Sequence, residues 1–90
     1  MSGRIEDTLN ERGDRYGDFK ENAAISQEGK DWLESQDGWR RLNPVKREAL
    51  EMIVQKIARI LNGDPEYKDN WHDIAGYATL AEERCKESEK

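Results

Sequence analysis

Between residues 56 and 77 the sequence KIARILNGDPEYKDNWHDIAGY places Lys56 and Arg59 on one side of a helix break and Trp71, Asp73 and Tyr77 on the other. Two cations, aromatic faces and a hydrogen-bond acceptor are what the phosphate, base and sugar of a nucleotide need. Arg15 and Tyr16, in the stretch DRYGD at 14–18, are placed to close over such a ligand. The chemistry this pattern predicts is the binding of a small nucleotide-type anion.

Lys56 carries most of that expectation. On a wheel of about 100° per residue, Val45, Ala49, Met52, Ile53, Ile57 and Ile60 form one apolar stripe, and Lys56 falls inside it. Glu48, Glu51 and Gln55 occupy the polar arc, with Arg59 at the border. A lysine centred on an apolar face loses hydration unless its ammonium reaches an anion or the surface. Three destinations remain open: it extends to solvent, it pairs with a carboxylate that sets helix register, or it points into a ligand cavity.

The elements that would position these residues are helices. No segment alternates apolar and polar residues over a strand's length, so the fold class is all-α: a compact bundle of about four helices in a single domain spanning 1–90. Ile5 and Leu9 predict a short first helix ending near Gly13, followed by a turn or loop over 14–18 in which Gly17 permits positive φ. A second helix runs from Asp18, its N-cap, to about Ser35, with Phe19, Ala23, Trp32 and Leu33 available to the core. Gly29 weakens it by about 1 kcal/mol relative to alanine.

Asn43-Pro44 is a clear start for the third helix, a capping side chain followed by proline at the first helical position. That helix runs to about Leu61 and stops at Asn62-Gly63. The fourth starts near Asp69 or Asn70 and continues past Ala81, with Trp71, Ile74, Ala75, Ala78 and Ala81 on one side. Its small residues Ala75, Gly76, Ala78 and Ala81 predict close approach to the third helix in an antiparallel hairpin. Residues 82–90 form a charged tail.

Composition narrows the partners. Fifteen basic and twenty acidic side chains give a net charge of -5, which argues against an extended duplex nucleic-acid surface and leaves room for a local basic pocket. A chain of 90 residues buries only about 60–65% of its unfolded surface, so association into a homo-oligomer is expected. The single cysteine, Cys85, forms no internal disulfide, and neither an export segment nor an apolar run of roughly 18 residues is present. A cytoplasmic protein without membrane contact is expected.

RYGD at 15–18, KIARI at 56–60 and DNWHDIAGYA at 69–78 together resemble a family of small phage and prophage proteins of unassigned function. The resemblance covers most of residues 12–82 and adds Asp18 and Asp69 to the candidate ligand-binding set of Arg15, Tyr16, Lys56, Arg59, Trp71, Asp73 and Tyr77. It implies a phage origin and a host bacterial cytoplasm. A phage-encoded binder of this kind is expected to act as a sponge, an anti-defence protein that sequesters a host signalling nucleotide.

A looser similarity is to the MazG-like all-α nucleoside triphosphate pyrophosphohydrolases, which hold magnesium with E-x-x-E and E-x-x-D pairs on a helical hairpin. Glu48 and Glu51 supply the first pair, and Asp69 or Asn70 with Asp73 the second. The alternative reading is therefore a magnesium-dependent hydrolase using Glu48, Glu51, Asp69 and Asp73. The first reading uses no catalytic residue, metal or cofactor. A structural or protein-interaction module is a third possibility.

The remaining reactive side chains have plainer explanations. His72 falls opposite the apolar side of the fourth helix with no second ligand spaced to share a metal. Cys85 belongs to packing or tail. Trp39-Arg40-Arg41 suits either a base stack or a tryptophan plugging the bundle end, with the arginines in solvent.

Overall fold

The computed structural model describes residues 13–85, whose regular structure is helical, with no strand among them. Helix α1 spans Phe19–Ser35, a 3-10 turn spans Asp37–Arg41, α2 spans Pro44–Asn62 and α3 spans Lys68–Glu82. The expected first helix lies mostly outside these residues, including Ile5 and Leu9. The described residues thus hold three full helices.

Each boundary has a local cause. Asp18 stands extended before α1 and accepts the Glu21 N–H at 3.4 Å. Asn43 accepts the Lys46 N–H at 2.9 Å, and Pro44 occupies the first turn of α2, where a missing N–H breaks no helical hydrogen bond. Gly63 ends α2, its N–H donating to the Arg59 carbonyl at 2.8 Å.

The stretch 14–18 corrects one expectation. Residues 13–16 are helical, and the Gly17 N–H closes the last turn on the Gly13 carbonyl at 2.8 Å. Only Gly17 and Asp18 form the break, with Gly17 at φ 85°. A β-carbon on Gly17 would strike the Asn62 backbone, and one on Gly63 would strike the Tyr16–Gly17 backbone. The end of this helical turn is thus pressed onto the end of α2, and two glycines make the approach sterically possible.

Helix α2 is central. It packs along α3 on one side and α1 on the other, and α1 and α3 make no substantial contact with each other. The α1–α2 seam closes on Gly29, where a β-carbon would collide with Val54. Gly29 is therefore a contact point rather than a simple weakness in α1.

The α2–α3 hairpin forms as expected, but through a different face. Asn70, Asp73, Ile74, Tyr77 and Ala81 are the buried or half-buried positions of α3, whereas Ala75, Gly76 and Ala78 are exposed and Gly76 has open space beside it. Residue size favoured the small stripe as the contact. The side chains that engage α2 instead include a polar pair, which a size argument does not register.

The core is small and its membership differs from expectation. Among the described residues the fully buried apolar side chains are Ala49 and Ala58, joined by the polar Ser26, Lys56 and Asn70. Phe19 and Trp32, expected inside, are 84% and 63% exposed, and Val45 and Ile57 also reach solvent. A helix packed on two sides uses two arcs, so one apolar stripe on the wheel does not identify its buried surface. No described helix is long and apolar enough to cross a membrane.

Candidate ligand-binding site

The nine candidate residues divide among three places. Lys56 lies buried in the α2–α3 seam, its Nζ 3.1 Å from Asp73 Oδ2. The lysine side chain is 10% exposed and the carboxylate 40%. Of its three possible destinations, this is the pairing with a carboxylate. Asn70, one turn before Asp73, is 1% exposed, and its Nδ2 has no hydrogen-bond partner among the described residues. Tyr77 lies half-buried one turn beyond Asp73 on the same helix.

The second group is an aromatic and cationic stack at the junction of residues 13–18, the end of α2 and the start of α3. Arg59 lies over the Tyr16 ring at 4.7 Å, and Tyr16 meets Tyr67 edge-on at 5.6 Å. Arg15 covers the Tyr67 ring at 5.3 Å and donates to its hydroxyl at 3.5 Å. The Tyr67 hydroxyl donates to Asp69 Oδ2 at 2.9 Å. That bond, followed by one with Tyr16, raises the Tyr67 phenol above its ordinary 10.0, against the lowering field of Arg15.

A web of side-chain amides ties this junction to α1. Asn62 Nδ2 donates to the Asp18 carbonyl at 3.2 Å and to Asn22 Oδ1 at 3.1 Å, and Asn22 Nδ2 donates to the Tyr16 carbonyl. The Asp64 N–H reaches the Arg15 carbonyl at 3.1 Å. Asp18 serves here as helix cap and backbone anchor.

Trp71 stands apart. Its Nε1 donates to the Pro65 carbonyl at 2.8 Å, fixing the turn before α3, while the ring remains half in solvent.

A cavity lies between α1, α2 and residues 13–18. Its volume is about 500 Å³, and Tyr16, Asn22, Ser26, Lys30, Gln55 and Arg59 line it, with Asp18 at its edge. Tyr16, Asp18 and Arg59 come from the candidate set, whereas Arg15, Lys56, Asp69, Trp71, Asp73 and Tyr77 lie outside the lining. Neither Lys30 nor Arg59 is ion-paired with another described residue; the pair among these residues is Lys56–Asp73.

Sequence reasoning missed Lys30, Asn22 and Ser26. The available signal was the spacing of Asn22, Ser26 and Lys30, one turn apart on the buried side of α1. It becomes meaningful only with the crossing of α1 over α2.

The four carboxylates of the magnesium reading do not assemble. No three His, Cys, Asp or Glu side chains among the described residues are arranged to hold a metal ion. Glu48 is exposed and Glu51 half-buried on α2, Asp69 holds Tyr67, and Asp73 holds Lys56.

His72 is exposed, as expected. Trp39 closes one end of the helices with Arg40 and Arg41 in solvent, and Arg47 stacks on its ring at 5.6 Å and donates to its carbonyl at 3.3 Å. Cys85 is an exposed free thiol.

Residues 4–85 match the family described as a domain of unknown function (DUF6378), and the chain belongs to that family. No curated protein and no solved structure matches it.

Proposed function

We propose that this chain binds a small nucleotide-type anion, without turning it over, in the groove between α1, α2 and residues 13–18. The observation that carries this reading is the convergence of Lys30 and Arg59, two cations without a carboxylate partner among the described residues, on one groove of a chain whose net charge is -5. Two cations that line one cavity raise its local potential and favour an anionic ligand even in a net-acidic protein. Arg59 rests on the Tyr16 ring, so its fork of donors is held in one orientation and loses little freedom on meeting a phosphate. Asn22, Ser26 and Gln55 offer the hydroxyl and amide groups that suit a sugar or base edge. A volume of about 500 Å³ falls in the range of small-molecule sites.

The resemblance of RYGD, KIARI and DNWHDIAGYA to phage proteins extends this reading to a use: holding a host signalling nucleotide away from its receptor. Sequestration requires affinity and no catalysis, which suits a groove of cations and amides.

A thermal-denaturation screen of mono-, di- and cyclic nucleotides with a chelator present tests the reading. A true ligand at about a hundredfold excess over its Kd stabilises by about 2.7 kcal/mol, roughly 10 °C or more for a domain of this size. The shift should persist in the chelator and vanish in Arg59→Met. No shift with any nucleotide, or one that needs a divalent cation, would overturn it.

A further inference from the structure

α1 and α3 both pack on α2 without touching each other substantially, which leaves two sides of α2 between its contacts. Helical spacing assigns residues to these sides. The groove, residues 13–18 and the Tyr67 stack share one. On the other, α2 presents Leu50, Ile57 and Leu61, which recur at intervals of seven and four along the arc between its contacts with α1 and α3. Trp32 on α1 and Trp71 on α3 flank that arc. All five are exposed, Leu61 to 71%.

We propose that this apolar side is the interface of a two-fold homodimer, in which α2 of one chain crosses α2 of a second copy between the two tryptophans. The described residues bury little apolar surface within one chain: the fully buried apolar residues among them are two alanines, while eight large apolar side chains are exposed. The five on this side offer on the order of 500 Å² of apolar surface, more than a soluble monomer usually leaves in one patch and enough for the centre of an interface of about 800 Å² per partner. An apolar strip down the middle helix is self-complementary, as a two-fold interface requires. Ala75 and Ala78, exposed beside Trp71, provide the low surface on which a second copy's helix can rest, a use that packing within one chain does not make of them.

Sedimentation equilibrium of the full chain, paired with tryptophan emission followed on dilution, tests the interface. The chain should be dimeric at micromolar concentration, and its emission should shift to the red as the dimer dissociates. Leu61→Glu should weaken association at least about a hundredfold without loss of helicity, because Leu61 is already largely exposed within one chain. Leu80→Glu, on an exposed apolar residue away from this side, should change it by less than about threefold. Should Leu61→Glu lose helicity, the emission change of the unaltered chain decides by itself. A monomer at all concentrations, or a dimer that ignores Leu61→Glu, would overturn the proposal. So would a monomer with blue emission, which would show that another part of the chain covers the tryptophans.

Discussion

Lys56 and Asp73 are partners in one ion pair, but the two ends are not equally buried, so removing either has a different consequence. Lys56→Met withdraws a poorly hydrated ammonium and leaves a carboxylate that water can reach. Its stability should stay within about 1 kcal/mol of the parent or rise. Asp73→Asn leaves the buried ammonium without its anion and should cost about 2 kcal/mol. Urea denaturation of the two variants checks this order, and the reverse order would mean that the ammonium is solvated by another route.

Tyr67 supplies a second prediction. Its phenol is raised above 10.0, so the folded protein holds that proton more tightly than the unfolded chain. The linked stabilisation is present below pH 10.0 and is lost as pH rises through the folded value. Phenolate absorbance of Tyr67, isolated by comparison with Tyr67→Phe, should therefore appear late, and Asp69→Asn should move it back toward 10.0.

At this scale the sequence was informative about Lys56, because one charge inside an apolar stripe is a local pattern. It could not show that Arg59 would leave Lys56 and rest on Tyr16, since that contact depends on where residues 13–18 return to the end of α2. Lys30 was equally hidden: a lysine on a charged helix carries no mark until a groove forms beside it.

The helices were legible at their ends. Asn43-Pro44 and Asn62-Gly63 are starting and stopping chemistry, and α2 lies between them as expected. Packing faces were not legible, because amphipathic spacing assumes one buried side and α2 has two. Gly29 illustrates this. Intrinsic propensity says that Gly29→Ala should stabilise α1 by about 1 kcal/mol. The close approach of Val54 predicts the opposite, a loss of about 1–3 kcal/mol as the seam is forced apart. Gly17→Ala should cost at least about 2 kcal/mol, since it combines positive φ with a collision against the Asn62 backbone. Thermal denaturation monitored by circular dichroism measures both. A stabilised Gly29→Ala protein would show that α1 does not meet α2 at this point.

Across the described residues the three helices present unlike sides, one polar and grooved, one apolar. Length and composition pointed to a chain short of core, and among the described residues the fully buried apolar side chains are two alanines. The location of the groove was beyond the sequence, because its walls come from segments far apart in the chain. The expected ligand pocket between α2 and α3 and the observed groove between α1 and α2 share Tyr16, Asp18 and Arg59 but differ in their second cation, Lys56 or Lys30. That difference gives the most direct measurement: calorimetric titration of the nucleotide with the largest thermal shift into the parent chain, Lys30→Met and Lys56→Met. Binding in the groove predicts one site per chain, an affinity at least about tenfold weaker in Lys30→Met, and less than about a threefold change in Lys56→Met. Binding abolished by Lys56→Met and untouched by Lys30→Met would contradict it and return the ligand to the α2–α3 seam.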